Sequence, residues 1–318
     1  MYYPYLRGKQ FELLALREFA SDYAVNCQVF PIIEPVKSSF NSIKIAIKKL
    51  KENNVSFALI LNPKKGDLIG KVDTILSDLN DVLVEGNWIP AYIVEARNSK
   101  GIFDHIQDMK FQSAMLICNE SVDTNQLEFK QLLGMNQVSK VVFADSNRSF
   151  KRELAKIGKE TIRLDDKFNV QKRNSDYISI PEEMFSEEVF YYKTEDGFAG
   201  FSDYTVLSSE YIDGGMLPKA LAIHLTYQKH DEIWIRHFVS DTNDDNSDIQ
   251  GKFGEAAKKA IDFFTEISYS NQAIEELKRY YNDGQYPGLG VLKKLSIKSH
   301  LELINSILTS TAQQHENL

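Results

Sequence analysis

Cysteine is nearly absent from this chain of 318 residues: Cys27 and Cys118 are the only two, and their separation matches no metal-binding spacing. Two such thiols point to a reducing compartment, and the cytoplasm is the expected location. Long apolar runs are missing too. No segment approaches the roughly 20 residues a membrane span needs, and the chain opens on aromatic residues rather than a basic stretch followed by an apolar one. No secretory leader and no membrane association are therefore expected. Positive charge is in deficit, with 37 Lys and Arg against 45 Asp and Glu and a net charge of −8. That balance disfavours broad duplex-DNA binding while leaving room for a local basic pocket. Nucleotide and hydrolase signatures are also lacking. Arg7-Gly8-Lys9 has one glycine where a dinucleotide fingerprint wants three, and neither a Gly-x-Ser-x-Gly elbow nor a Walker loop occurs. None of the six histidines forms a pair at helical metal spacing, and the acidic stretch from Asp241 fails as a calcium loop because Asn246 replaces its glycine and Lys252 its closing glutamate. The sequence carries no metal-binding motif and does not name a cofactor.

What is present is a rhythm. The runs YYPYLRGK, FPIIEPVK, FALILNPKK, IPAYIVEAR, AMLICNE, KVVFAD, TIRLDD and FAGFSDY are short, apolar and closed by charged or amide residues, with helix-patterned segments between most of them. Eight such repeats predict an α/β chain folded as a (β/α)8 TIM-barrel-like ring, whose sites gather where strands end and loops begin. The predicted strands are 2–6, 29–36, 56–61, 88–94, 114–118, 140–144, 160–164 and 197–205. Residues 165–196 form a long, aromatic-rich loop with a helix expected near Pro181–Phe185. Residues 220–227 and 232–239 alternate as strands of an inserted β-hairpin, expected over or beside the barrel mouth. A helix over 252–267 and two more over 271–311 follow. The expected division is a barrel over 1–270, hairpin included, and a C-terminal helical extension over 271–318 packed on it.

The strand ends supply the candidate chemistry: Arg7 and Lys9, then Glu34 and Lys37, Asn62, Lys64 and Lys65, Glu95 and Arg97, Asn119 and Glu120, Asp145, Asp165 and Asp166, and Asp203. Arg7 and Lys9 at the start of the first helix make a candidate anion site. Glu34 and Glu95 end alternate strands, so their carboxylates are candidates for an acid/base pair or for holding a divalent cation; salt bridges to Lys37 and Arg97 are the plainer outcome. Asp203 is either an ion-pair partner of Arg7 or a catalytic acid. His237 alternates in phase with Ile233, Ile235 and Val239, which makes a buried, hydrogen-bonded histidine the default and a general acid/base the sharper reading.

The segments PYLRGKQFELLALRE, FPIIEPVK, DKFNVQKRNSDY, GFAGFSDYTVL, KALAIHLTY, IRHFVSD, GKFGEA and YPGLGVLKKLSI resemble the protein beta, or "beta family", group of bacterial and phage proteins. The likeness spreads over nearly the whole chain. It implies a barrel-like fold, no established reaction, and a setting in mobile or phage-defence gene neighbourhoods beside a partner protein. It also directs attention to residues inside the matching segments: Glu34, Asp203 and His237 as catalytic candidates, and Arg7, Lys9, Lys37, Arg173, Asn174 and Lys252 as ligand-binding candidates. Lys64, Arg97 and Asp145 fall outside them and carry less weight. Arg173-Asn174 lies in the loop between the seventh and eighth strands, where many barrels hold a phosphate. The functional expectation is an anionic, phosphate-bearing small molecule or nucleotide bound at the barrel mouth, with phosphodiester hydrolysis as the candidate reaction. The alternative is a non-catalytic scaffold that docks a partner effector encoded nearby, suggested by Leu289, Val291, Leu292, Leu295 and Ile297 beside Lys293, Lys294 and Lys298.

Overall fold

The computed structural model describes residues 1–84, 86–118, 122–144, 148–212, 214 and 219–316, without the side chains of 148, 149, 155 and 314–316. Asn119, Glu120 and Asp145 lie outside the described residues. The chain packs as two compact units, one of residues 1–13, 27–166 and 191–203, the other of residues 14–26, 167–190 and 204–318.

The first unit is the expected α/β barrel. Its parallel strands run β1 (Tyr5–Leu6), β2 (Ile32–Ile33), β3 (Phe57–Ile60), β4 (Trp88–Val94), β5 (Ala114–Cys118), β6 (Val138–Phe143) and β7 (Glu160–Asp165). After β8 (Glu182–Ser186), which belongs to the other unit, β9 (Gly200–Asp203) completes the eight-stranded order β1-β2-β3-β4-β5-β6-β7-β9. The ring closes at Tyr2, which bridges in parallel to both Val29 and Phe201, and the Tyr3 N–H donates to the Phe201 carbonyl at 2.8 Å. Closure leaves no sheet edge to template aggregation. Between the strands lie α2 (Asn41–Glu52), α3 (Val72–Leu83), α4 (Ser99–Asp108), α5 (Leu127–Leu133) and α6 (Arg148–Lys156); α1 (Gln10–Asp22) begins in this unit and continues in the second.

Register assigns each side chain to a face, because parallel partners share a side and neighbours in sequence alternate. The partner set Tyr5–Ile32–Ala58–Ile89 fixes one face, and Ile60–Ala91–Met115–Lys140–Glu160 continues it. This face lines the barrel: the Lys140 ammonium lies 5.8 Å from the Tyr3 ring centroid although β1 and β6 are not neighbours. The opposite face meets the helices, where Tyr92 Oη is 2.7 Å from His105 Nδ1 of α4 and the Phe143 ring is 5.2 Å from that of Phe150 on α6. Fully buried residues such as Ile32, Leu59, Ile60 and Leu116 fill both faces; each large apolar side chain so placed contributes about 1.5–3 kcal/mol.

The second unit is built on an antiparallel sheet in the order β10-β11-β8, with β10 (Ala222–Lys229) and β11 (Glu232–Val239) forming the expected hairpin in register His224↔His237. His230 sits at its turn with φ 57°. The segment expected as a helix near 181–185 is instead β8: pairing to β11 outweighs the helix preference of its glutamates and methionine. A 3₁₀ turn (Asn174–Ser179) precedes it, and the short α7 (Glu188–Tyr191) follows. Helices α8 (Ile249–Glu266), α9 (Gln272–Asn282) and α10 (Leu289–Glu316) complete the unit. Ile223 and Leu225 of β10, Phe253 and Phe264 of α8, Leu277 of α9 and Leu295 of α10 share one hydrophobic core, which thus runs across residue 270. Every residue of α10 from Lys294 to Asn305 is buried.

Candidate functional site

The barrel's strand ends hold a small constellation around Glu34. One residue past β2 and in phase with Ile32, Glu34 faces the barrel interior and is 2% exposed. Tyr5, one strand over on the same face, donates its hydroxyl to Glu34 Oε2 at 2.9 Å, and the Lys64 backbone N–H donates to Oε1 at 2.8 Å. Both carboxylate oxygens are therefore held in fixed directions by a neutral hydroxyl and a main-chain amide. Lys64 then reaches the other way, its ammonium 2.5 Å from Glu95 Oε2 beyond β4. The expected approach of Glu34 and Glu95 is realised through this lysine rather than by direct contact. Glu95 pairs with Lys64, and Arg97 is exposed.

Two glycines let the loops close this tightly. A Cβ on Gly8 (φ +58°) would lie 3.0 Å from the Glu34 carbonyl, and one on Gly66 (φ +76°) would lie 2.0 Å from the Val36 carbonyl. Asp67 fastens the same corner, its N–H donating to Val36 O at 2.8 Å and its carboxylate accepting from Ser38 N at 3.2 Å. Asn62 locks β3 to β4 by donating to Ile93 O and accepting from Ile93 N at 2.9 and 2.8 Å. Arg7 is buried at 7% exposure, while Lys9 and Lys37 are half-buried. The first turn of α1 already has its own anion: Glu12 Oε2 accepts from the Arg7 N–H at 2.6 Å.

Asp203 is placed differently from Glu34. It pairs in register with Asp165 and follows Ser202, the partner of Leu164, so it stands on the helix-facing side of the sheet with Phe201. There Tyr2 donates its hydroxyl to Asp203 Oδ1 at 2.5 Å, and the Tyr2 ring stacks on Phe201 at 5.0 Å. Burial and the Asp203 charge hold the Tyr2 phenol well above its ordinary range. By register, Asp203 therefore stands on the sheet face opposite to that of Glu34.

The remaining candidates belong to the second unit. Arg173 is largely exposed, with Nε and Nη2 on Asp176 Oδ1 at 3.1 and 2.8 Å, and this pairing holds the Asp176 carboxyl below its usual range. Its fork is thus engaged in capping the 3₁₀ turn. Asn174 donates to the Ala220 carbonyl at 2.9 Å. Lys252, 1% exposed in α8, donates to the Asp245 carbonyl at 2.5 Å. His237 is buried with Nδ1 2.7 Å from His224 Nδ1 and Nε2 3.3 Å from Glu183 Oε1. The Tyr177 ring lies 4.4 Å from that of His237. Burial, reinforced by the neighbouring imidazole, pushes His224 down to about 3, and burial likewise lowers His237. The pair is neutral near pH 7, one ring donating the shared proton.

Tyr5 and Glu183 are not among the residues the sequence singled out, and Lys64, given less weight there, holds both Glu34 and Glu95. Tyr5 was findable, since it lies two residues before Arg7 and therefore on the same strand face. A scan against protein-family models and a search of curated proteins return no match to this chain.

Proposed function

We propose that the barrel mouth binds a small anionic, phosphate-bearing molecule, with Glu34 as its general acid/base. The observation that carries this reading is the buried, doubly held carboxylate of Glu34 at a strand end. A fixed ionisable group at this position in a barrel is costly to bury and suits proton transfer to a bound ligand. Arg7, Lys9, Lys37 and Lys65 follow the first three strands and supply the anion's counter-charges, while the pair Lys64–Glu95 forms one wall. The reaction this set fits is attack of water on the phosphorus of an ester, with Glu34 accepting the water's proton as the P–O bond to the alcohol breaks and returning it to the departing oxygen. The scaffold alternative has lost part of its motive: Leu292, Leu295 and Ile297 are interior to α10's own unit at 3%, 1% and 0% exposure.

Inorganic phosphate and a nucleoside monophosphate are the probes, titrated by calorimetry into wild type and Lys9→Ala/Lys37→Ala protein. Saturable binding weakened on the order of tenfold in the double variant is expected, about 1.4 kcal/mol for two partly exposed counter-charges. No saturable binding to wild type, or equal binding to both, rejects the anion site. Loss of turnover of a chromogenic phosphodiester in Glu34→Gln, with phosphate binding retained, is the expected mark of the acid/base role.

A further inference from the structure

The second unit gathers an unbalanced set of charges between α1, α9 and α10, with Lys294, Lys298 and Glu302 buried and Glu18 and Asp22 partly exposed. Lys294 of α10, 2% exposed, has its ammonium 2.9 Å from Glu18 of α1 and 2.7 Å from Glu276 of α9. One turn on, Lys298 lies 2.8 Å from Asp22 Oδ2 and 3.6 Å from Glu18 Oε2. Glu302, one further turn along and 2% exposed, accepts from the Ala273 N–H at 3.1 Å through Oε2. Its Oε1 has no hydrogen-bond partner and stands 3.8 Å from Lys298 Nζ.

Four carboxylates, Glu18, Asp22, Glu276 and Glu302, thus face two ammonium groups, Lys294 and Lys298. Fully ionised, the cluster carries two uncompensated negative charges; Glu18 and Asp22 are partly screened by water, whereas Glu302 is buried and is not. Glu18 and Asp22 already hold Lys298 at shorter range than Glu302 does, so Glu302 is the member whose charge is least answered. The other titratable groups facing it are Tyr23, just past the end of α1, and Tyr269 ahead of α9, both raised by burial first, with the Glu302 charge adding to it. A proton on Glu302 removes one excess charge and gives Oε1 a hydrogen of its own.

We propose that the joint between α1, α9 and α10 is a proton-linked latch, seated while Glu302 is neutral and loosened when Glu302 ionises. The Ala273 N–H itself favours the ionised carboxylate, so loosening comes from burial: an ionised Glu302 that withdraws toward water uncaps α9, whose other cap bond is Ile274 N–H to Asn271 Oδ1 at 2.9 Å. Burial, outweighing the help of the Ala273 N–H and Lys298, pushes Glu302 up to about 7. A carboxyl raised above its unfolded value stabilises the seated state fully below the ordinary carboxylate range, and that contribution is lost as pH rises through about 7.

The test is a carboxyl carbon-13 titration of the full chain labelled at glutamate, with amide hydrogen exchange across residues 272–282. The expectation is one glutamate titrating near pH 7, absent from Glu302→Gln. With it, α9 opening corrected for intrinsic rates should rise on the order of tenfold from pH 6 to pH 8, and only in wild type. A wild-type Glu302 titrating in the ordinary carboxylate range, or α9 opening unchanged over that interval, overturns the latch. Both wild-type measurements stand even if Glu302→Gln does not fold.

Discussion

Tyr5 shows what a single hydroxyl does at the barrel mouth. It donates to Glu34 Oε2, and Glu34 is 2% exposed, so Tyr5→Phe leaves a buried carboxylate with one donor fewer. The expected loss is about 1–3 kcal/mol, read as a lower urea midpoint at pH 7. In Glu34→Gln/Tyr5→Phe the added cost of removing the hydroxyl should be smaller, because the remaining group is uncharged; equal costs in both backgrounds would disconnect the pair. The sequence made Glu34 legible because a charged residue closing an apolar run has one probable place in a barrel. It could not make Lys64's role legible, since its backbone N–H meets Glu34 and its ammonium meets Glu95 only after β2, β3 and β4 align. The face taken by Asp203 was not legible for a different reason: its place at a strand end was, but a register one residue different sends a side chain to the other face.

Helix α10 illustrates how burial on all sides erases a pattern. An amphipathic stripe appears when one face meets water, and from Lys294 to Asn305 none does. Lysines among leucines therefore read as a docking surface when they are interior ion-pair partners. Lys294→Met should cost about 3–5 kcal/mol, because Glu18 and Glu276 would be left facing one another without the ammonium. Adding Glu18→Gln to that variant is expected to recover part of the loss in urea unfolding; no recovery would mean the charge pairing matters little. β8 was illegible for a related reason: its helix-forming composition is overruled by β11, and pairing partners 50 residues apart leave no local trace. The turn at Gly66 is more local. Gly66→Ala must place a Cβ against the Val36 carbonyl at φ +76°, and a loss of about 1–3 kcal/mol in thermal or urea unfolding is expected.

The fold as a whole was the most legible part, because eight repeats of one βα rhythm admit few closed arrangements, whereas the grouping into two units rests on contacts between distant segments. Its stability should depend on pH in a manner traceable to two buried sites that oppose each other. His224 and His237 are held below their ordinary values, so their contribution is present above the unfolded histidine value of about 6.5 and is lost as pH falls below it. Glu302 acts in the reverse sense, its contribution fading as pH rises toward about 7. Between about pH 5 and pH 6.5 the two trends partly cancel, and Glu302→Gln should steepen the acid loss of stability relative to wild type in urea titrations. Identical slopes would show that one of the two sites does not titrate as placed.

Glu18 and Lys294 are 276 positions apart, yet they share one ion pair. A ribosome makes the glutamate long before its lysine. Until the last helix emerges, the nascent chain must carry the 14–26 segment without the neighbours that bury it, and the first barrel strand must wait likewise for Phe201. Such remote closure slows folding and prolongs exposure of the growing polypeptide. A pulse-labelled chain halted before residue 289 is therefore expected to be protease-sensitive at its amino-terminal helix.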